Sequence, residues 1–254
     1  GVNALRQAHR SQGFLPPLPE GTMEFGPVLL EEVESEAQEG RFSRADERDV
    51  QRTLEGVRRA RAACQAVVVL VHSHEIKAAC EEEPDYFLED FARRCIDAGA
   101  SAVVGSGTHQ VQGIEIYNGC PIFYCLGNFF FENDTVEKLP ADFLEKYGVS
   151  IHASAQEGLR ARAVQATASL GARRPVYQTV LPRFSILDGK CAELELLPVD
   201  LGLDGPKWEK GVPRLADARA AEEICAYLNR VSAPYGTRWR VQGQAIVQTE
   251  GGKA

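Results

Sequence analysis

Apolar residues recur at helical spacing near residue 50, and a continuous apolar run follows them. The spacing predicts an amphipathic helix over residues 45–63 with one buried side. This apolar stripe consists of Val50, Leu54, Val57 and Cys64. The next run, AVVVLVH at 66–72, is typical of a strand in a parallel sheet that is covered on both faces.

A second helix and a second strand complete a βαβ unit. Pro84 lies where a first-turn proline is common and Gly99 where a C-cap glycine is common, so a helix is predicted between them. SAVVG at 101–105 predicts the next buried strand. Because βαβ crossovers are right-handed and join parallel strands, this order indicates an α/β (α+β) fold.

The rest of the chain predicts two hairpins, one helix and a terminal strand or hairpin. Asn118-Gly119 and Asp188-Gly189 each lie between short apolar segments, which is a strong signal for a two-residue hairpin turn. Residues 216–231 have a helical stripe, and RWRVQGQAIVQ at the end predicts strand structure.

These elements predict one α/β domain preceded by an irregular segment. Residues 1–44 are expected to be irregular, and residues 45–152 to form the core that carries the histidines discussed below. Residues 153–173 are small and polar, which predicts a flexible insert. Residues 174–254 then complete the same domain.

Composition narrows the class of protein. The 254 residues carry a formal charge of −8, so no broad basic field favours nucleic-acid binding. No apolar run approaches the ~20 residues of a membrane-spanning helix, and the first residues show no export signal. Seven cysteines without a CxxC pair predict neither a disulfide framework nor a zinc ribbon. They are expected to be core residues in a reducing compartment, which favours the cytoplasm, with Cys64 and Cys95 on buried helix stripes.

Three histidines follow the two predicted parallel strands. His72 and His74 end the first strand and, two residues apart, face the same side, with Glu75 beside them. His109 follows the second strand, and ligands of open α/β sheets bind at such strand ends. Imidazole is a common ligand of zinc, manganese and iron, so the pattern indicates a metal site. The alternative is a solvent-exposed strand end with ordinary polar residues.

Several motifs resemble one bacterial family. VVVLVHSHE, IDAGA, QGIE and PIFYCLGNF, followed by LDGKCAELELLPV and LNRVSAPYGT, are similar to the CapA-type family of poly-γ-glutamate capsule-biosynthesis proteins. The resemblance implies the C-terminal portion of a layered α/β/β/α sandwich related to calcineurin-type metallophosphoesterases. It also implies linkage to capsule or cell-surface polymer biosynthesis, with capsule-synthesis proteins as partners.

The resemblance implies roles for particular residues. His72, His74 and His109 would bind a divalent metal (Mn, Zn or Fe), with His72 and His109 catalytic in metal-assisted hydrolysis or transfer. Glu75, Ser106 and Asn128 would contact the substrate, an anionic polymer or a small phosphate or amide. For Asn128, fixing a turn is the alternative. Glu115 is expected at the surface or as a partner of His109.

Two departures from the family pattern predict an incomplete metal site. In the loop after the second predicted strand, GSGTH, Ser106 replaces the first histidine of the family pattern. A hydroxyl is a poorer ligand for a transition metal than an imidazole. The Gly-Asp, Asn-Leu-Glu and Asn-Asn-His stretches of the family's N-terminal half are also absent from this sequence. The alternative function is therefore a binding or assembly protein that retains the fold without catalysis, and a third is a metal-free lyase or amide hydrolase. Arg93-Arg94 and Arg173-Arg174 are the nearest basic pairs for a polyanion.

Overall fold

The computed structural model describes most of the chain, and that part forms two compact units. The described residues are 2–15, 17–25, 28–32, 43–77, 80–132, 136–165, 171 and 173–249. The units comprise residues 1–41 and 42–254, and the second contains all three histidines of interest.

The first unit has regular structure where an irregular segment is predicted. Helix α1 (Val2–Ser11) precedes the antiparallel strands β1 (Thr22–Phe25) and β2 (Val28–Glu31). The carboxylate of Glu24 accepts hydrogen bonds from the guanidinium groups of Arg6 and Arg10, 18 and 14 residues away in sequence. The prediction was wrong for these elements, because such ion pairs join segments that local periodicity treats separately. Residues 33–42 lie outside the described residues.

The first sheet of the second unit has four strands in the order β3-β4-β6-β5. They are β3 (Val68–His72), β4 (Ala102–Ser106), β5 (Ile114–Tyr117) and β6 (Cys120–Phe123). β3, β4 and β6 run parallel, and β5 pairs antiparallel with β6. Asn118 and Gly119 have φ of 50° and 77°, as a type I′ hairpin turn requires. The predicted βαβ unit and the first hairpin are confirmed.

Two helices pack on one face of this sheet. Helix α2 (Glu47–Ala63) begins after Asp46, whose carboxylate accepts two backbone N–H bonds of the first turn. Helix α3 (Tyr86–Asp97) begins after Asp85, so Pro84 precedes the helix instead of lying in its first turn. The core between helices and sheet includes Val50, Leu54, Val57, Ala92, Cys95, Val103 and Ile122.

Two features that were predicted to be buried are exposed. β3 is an edge strand of its sheet, and although Val69 packs on the helix side, Val68 and Leu70 are 46% and 78% exposed. The prediction of a strand covered on both faces was therefore wrong. Cys64 is also exposed, because α2 ends at Ala63 and the backbone of Cys64 is extended. Apolar composition does not reveal whether a strand lies at an edge, nor where a helix stops.

The second sheet packs against the other face of the first. Its strands are β7 (Gln178–Leu187), β8 (Lys190–Asp200), β9 (Arg214–Leu215), β10 (Trp239–Gln242) and β11 (Ala245–Gln248). The order is β10-β11-β8-β7, with β9 beside β8. Phe123 of β6 contacts Phe184 of β7 in the core between the sheets. The hairpin at Asp188-Gly189 and the terminal hairpin β10–β11 are confirmed.

Helix α6 (Ala218–Ser232) packs against strands of both sheets, and its bounds agree with the predicted helix at 216–231. Its buried residues Ile224 and Leu228 lie in the same core cluster as Ile114 of β5 and Leu196 of β8. The hydroxyl of Ser232 accepts the backbone N–H of Ile114. The helix therefore stabilises the packing of one sheet against the other.

Part of the predicted flexible insert is helical. Helix α4 (Ala141–Lys146) precedes it, and helix α5 (Ala155–Gln165) lies within it. Ser154 and Glu157 form reciprocal bonds at the start of α5, which is the capping box that the sequence SAQE encodes. The prediction of a loop over 153–173 was wrong for these residues, because the few apolar positions conceal this N-terminal signal. Residues 166–170 and 172 lie outside the described residues.

The second unit is thus a layered α/β structure, as predicted. Helices α2 and α3 cover the first sheet, and the first sheet packs on the second. The outer side of the second sheet has exposed side chains such as Leu181, and Arg183 and Glu195 pair across its strands. Within the described residues, no helix is long and apolar enough to cross a bilayer.

Candidate functional site

The parallel pairing of β3 and β4 brings the predicted site residues to one edge of the first sheet. His72 lies directly opposite Ser106 in the register of the two strands. The backbone N–H of Ser73 donates to the carbonyl of Ser106 over 2.8 Å, which continues the pairing into the loops. The prediction that the two strand ends lie side by side is therefore confirmed.

Two glycines, one in β4 and one in the loop after it, allow the backbone to approach neighbouring segments closely. A Cβ on Gly105 would lie 1.9 Å from the carbonyl oxygen of Tyr124, and a Cβ on Gly107 would lie 2.0 Å from that of Ser73. Gly107 also has a φ of 132°, which L side chains rarely adopt. The spacing of glycines in GSGTH is therefore required by backbone contact, and it places His109 beside the HSH segment.

His72 and His74 form the closest pair of ionisable side chains at this edge. Their Nε2 atoms are 3.1 Å apart and their ring centroids 4.9 Å apart. Both residues are exposed. Two N–H groups cannot donate to each other. At this distance, therefore, either one nitrogen carries a proton that it donates to the other, or both nitrogens bind the same cation.

Ser106 determines how the His72 ring is oriented. Nδ1 of His72 lies 2.8 Å from Oγ of Ser106, and this hydroxyl lies 3.5 Å from the carbonyl oxygen of Val71. If the hydroxyl donates to Val71, it accepts from Nδ1–H of His72, which leaves the lone pair of the imidazole on Nε2. Ser106 thus contacts the far side of the ring from His74, and its position is that of an orienting group for His72.

His109 completes the cluster, and Asn128 contacts it directly. The rings of His109 and His74 have centroids 5.5 Å apart. Nδ1 of His109 is 2.9 Å from Oδ1 of Asn128. Asn128 lies in the segment after β6, so the structure joins the loop after β4 to the loop after β6. His109 has a φ of 65°, an uncommon conformation for a residue other than glycine.

The two acidic candidates have different surroundings. Glu75 is exposed beside His74, and its backbone N–H donates to the hydroxyl of Ser73. Glu115 is buried and accepts hydrogen bonds from Arg93 and from the Tyr124 hydroxyl, so it is neither a surface residue nor a partner of His109. Burial, together with the bond to Glu115, raises the pKa of Tyr124. The expectation for Glu115 was wrong because its partners come from α3 and from Tyr124, directly after β6.

The cluster fits part of a divalent-metal site. Two nitrogens bound to one tetrahedral zinc ion at 2.0–2.1 Å would lie about 3.3 Å apart, close to the separation of the His72 and His74 nitrogens. Neutral imidazole is a suitable ligand for such ions. Within the described ranges, however, no group of three or more His, Cys, Asp or Glu side chains is placed to hold one ion. The described residues therefore bring together two neighbouring imidazole nitrogens and a nearby third imidazole, and no carboxylate completes such a group with them.

The basic pairs proposed for polyanion contact all have acidic partners. Arg93 pairs with Glu115, Arg94 with Glu47 and Asp90, Arg173 with Glu81, and Arg174 with Asp204. Arg173 also donates to Oε1 of Gln110. These contacts partly neutralise the four guanidinium groups, so they do not form a free basic patch.

Phe131, which the sequence patterns did not predict as a site residue, lies beside the cluster. The ring centroids of Phe131 and His109 are 6.3 Å apart, and Phe129 and Phe130 are 50% and 61% exposed. The run Phe-Phe-Phe directly after Asn128 is the sequence signal that could have indicated an aromatic neighbour. The contact of Asn128 with the carbonyl of Val176 has no such signal, because the two residues are 48 positions apart.

Comparison with known proteins identifies the family. The profile of the bacterial capsule synthesis protein family PGA_cap matches residues 11–133. A segment of 67 residues is 42% identical to the PGA biosynthesis protein CapA of Bacillus subtilis, covering 26% of this chain and 17% of that protein. A segment of 52 residues is 38% identical to the capsule biosynthesis protein CapA of Bacillus anthracis, covering 20% and 13%. The chain belongs to the CapA-type family of capsule biosynthesis proteins.

A longer match covers most of this chain. An uncharacterized protein of Sinorhizobium fredii is 36% identical over 205 residues, which are 78% of this chain and 44% of that protein. The chain thus spans less than half of the length of this relative. The CapA-type family is metallophosphoesterase-like, and the layered α/β structure agrees with that fold class.

Proposed function

We propose that this chain carries the histidine part of a divalent-metal site in a CapA-type protein of capsule or cell-surface polymer biosynthesis. The observation that supports this most directly is the 3.1 Å separation of the His72 and His74 Nε2 atoms. A bound metal would supply Lewis-acid activation for hydrolysis or transfer on a phosphate or amide substrate. Further ligands, including carboxylates, are needed in addition to the described side chains.

Each residue of the cluster has a distinct role in this proposal. His72 and His74 bind the cation through Nε2, and Ser106 orients His72 through Nδ1. His109 is the third imidazole, and its catalytic role is to contact the substrate or the cation. Glu75, exposed beside His74, contacts the substrate or a partner group. An anionic polymer or a small phosphate or amide is the substrate class that fits this chemistry.

A second candidate function is binding or assembly without catalysis in the same process. The contacts of Ser106 favour it, because its hydroxyl is engaged with His72 and Val71 and does not replace a nitrogen ligand. In this case the chain binds its partner or polymer and releases no product. Turnover of bis(4-nitrophenyl) phosphate and of oligo-γ-glutamate with Mn²⁺ distinguishes the two functions, since only the first predicts product.

Metal binding tests the site itself. Isothermal titration of the chain with Mn²⁺ and with Zn²⁺ is expected to give one site whose affinity falls at least about tenfold in His72→Ala and in His74→Ala, since each loses one ligand. His109→Ala is expected to weaken binding as well.

His152→Ala is the matched control, because His152 is exposed and lies near α5 instead of at the sheet edge. Its affinity for both ions should equal that of the unchanged chain. Equal affinities in His72→Ala, His74→Ala and His152→Ala would contradict the proposed site.

A further inference from the structure

The side-chain amide of Asn128 has only one favourable orientation. Its Nδ2 atom donates to two backbone carbonyl oxygens, those of His109 and Val176, each at 3.1 Å. Rotating the amide by 180° would place its oxygen against both carbonyl oxygens, where no hydrogen bond is possible. The Oδ1 atom is therefore the one that faces His109.

This orientation determines the protonation of the neutral His109 ring. Oδ1 of Asn128 is an acceptor only, and it lies 2.9 Å from Nδ1 of His109, so Nδ1 must carry the proton. The other ring nitrogen, Nε2, then has the free lone pair. An imidazole binds a cation through such a lone pair, and the second nitrogen usually donates to a fixed acceptor.

The same amide also stabilises the unusual backbone at His109. A left-handed conformation is unfavourable for a residue other than glycine, and the φ of 65° at His109 is in that region. The amide of Asn128 contacts both the ring and the carbonyl of His109, and Val176, which is fully buried, provides the third contact. Ring orientation and backbone conformation are thus set by one side chain.

We infer that Asn128 is a positioning residue that holds His109 in the Nδ1–H tautomer, with the Nε2 lone pair available for a divalent cation at the histidine cluster. The tautomer follows from the hydrogen bonds alone, and only the identity of the bound group rests on the proposed function. Asn128 thereby acts through His109 and not by contact with the substrate.

The test is ¹⁵N NMR of the metal-free chain with ¹⁵N-labelled histidine at a pH where His109 is neutral, with His109→Ala used for assignment. The unchanged chain is expected to show His109 with the proton on Nδ1. Asn128→Ala removes the acceptor, so the population with the proton on Nε2 should rise. Asn128→Asp retains an acceptor oxygen towards His109 but loses both bonds that Nδ2 donates to the carbonyls of His109 and Val176. It therefore isolates the effect of the acceptor: the proton should return to Nδ1, a rescue that a purely structural role would not produce.

Gln112→Ala is the matched control. Gln112 also donates its amide to a loop carbonyl, that of Glu81, but the described contacts join it to no histidine. It should leave the His109 tautomer unchanged. A proton on Nε2 in the unchanged chain, or an unchanged Nδ1–H population in Asn128→Ala, would overturn the inference. If Asn128→Ala does not fold, the deciding variant is Asn128→Asp, in which a proton on Nε2 of His109 would overturn the inference.

Metal titration separates this inference from the proposed function. Zn²⁺ affinity should fall about 10- to 100-fold in Asn128→Ala and by less in Asn128→Asp. An unchanged chain that binds no Zn²⁺ would overturn the proposed metal site, whereas the tautomer measurement on the metal-free protein would still decide the role of Asn128. Zn²⁺ binding that is equal in the unchanged chain and in Asn128→Ala would overturn the role of Asn128 in cation binding.

Discussion

At the scale of single residues, the candidate site depends on backbone contact between its two loops. Gly107 contacts the backbone at Ser73, which lies between the two histidines of the HSH segment. The contact leaves no room for any side chain at this position. It explains why the loop after β4 needs glycine there, whatever ligand the cluster binds.

Gly107→Ala is therefore expected to destabilise the fold strongly. The added Cβ would meet the Ser73 carbonyl oxygen at 2.0 Å, so the loops must separate, at a cost above about 3 kcal/mol. Gly243→Ala is the control, because Gly243 has a φ of 63° with no atom within 4 Å and should lose only about 1–2 kcal/mol. Urea denaturation measures both, and equal losses would contradict the close contact.

At the scale of elements, an ion pair connects the two helices on the first sheet. Arg94 of α3 lies 2.6 Å from the carboxylate of Glu47 at the start of α2, and it also bonds Asp90. The hydrogen bond from Arg94, followed by that from Gln51, lowers the pKa of Glu47 from 4.5 to about 2. Because the carboxylate is ionised in the pair, this contact favours the folded state only while Glu47 is charged.

The pH dependence of stability tests this pair. A carboxylate with a lowered pKa in the folded state stabilises the fold above its unfolded pKa, and this contribution is lost as the pH falls from 4.5 toward about 2. The free energy of unfolding of the unchanged chain minus that of Glu47→Gln should therefore be largest above pH 4.5 and shrink toward pH 2. Glu55→Gln, an exposed position on the same helix, is the control. A difference that is constant with pH would refute the coupling.

The edge strand β3 provides a second test at this scale. Leu70 is 78% exposed, so Leu70→Ser should change the free energy of unfolding by less than about 0.5 kcal/mol. Ile122 of β6 is fully buried, and Ile122→Ala should cost about 2–5 kcal/mol. Chemical denaturation of both variants measures these changes in the free energy of unfolding. A large loss in Leu70→Ser would mean that the strand is covered.

At the scale of the whole molecule, two properties bear on function: the net charge of the chain and the share of a longer relative that it spans. The formal charge is −8, and the four arginines of the pairs Arg93-Arg94 and Arg173-Arg174 are paired with acidic side chains. Contact with an anionic polymer must therefore use the histidines or groups outside these pairs. Since the chain spans 44% of its Sinorhizobium relative, activity on such a polymer is a proposal for the whole protein.

Much of the local structure could be predicted from residue patterns. The helical stripe at Val50, the βαβ order and the turn at Asn118-Gly119 all depend on neighbours in sequence, and the structure contains each of them. The N-terminal hairpin and α5 were missed. The hairpin depends on ion pairs between distant residues, and the capping box of α5 lies in a segment with few apolar positions.

The sequence by itself determined most elements of the second unit, the family and the placement of His72, His74 and His109 at two strand ends. Short-range patterns are sufficient for that, because a βαβ crossover makes its two strands parallel and so brings their carboxyl ends to the same edge of the sheet. Only the tertiary structure decided that Leu70 is exposed, that Glu115 binds Arg93 and Tyr124, and that Asn128 joins His109 to Val176. Burial and hydrogen-bond partners depend on which distant segments pack together, and no local pattern contains that information.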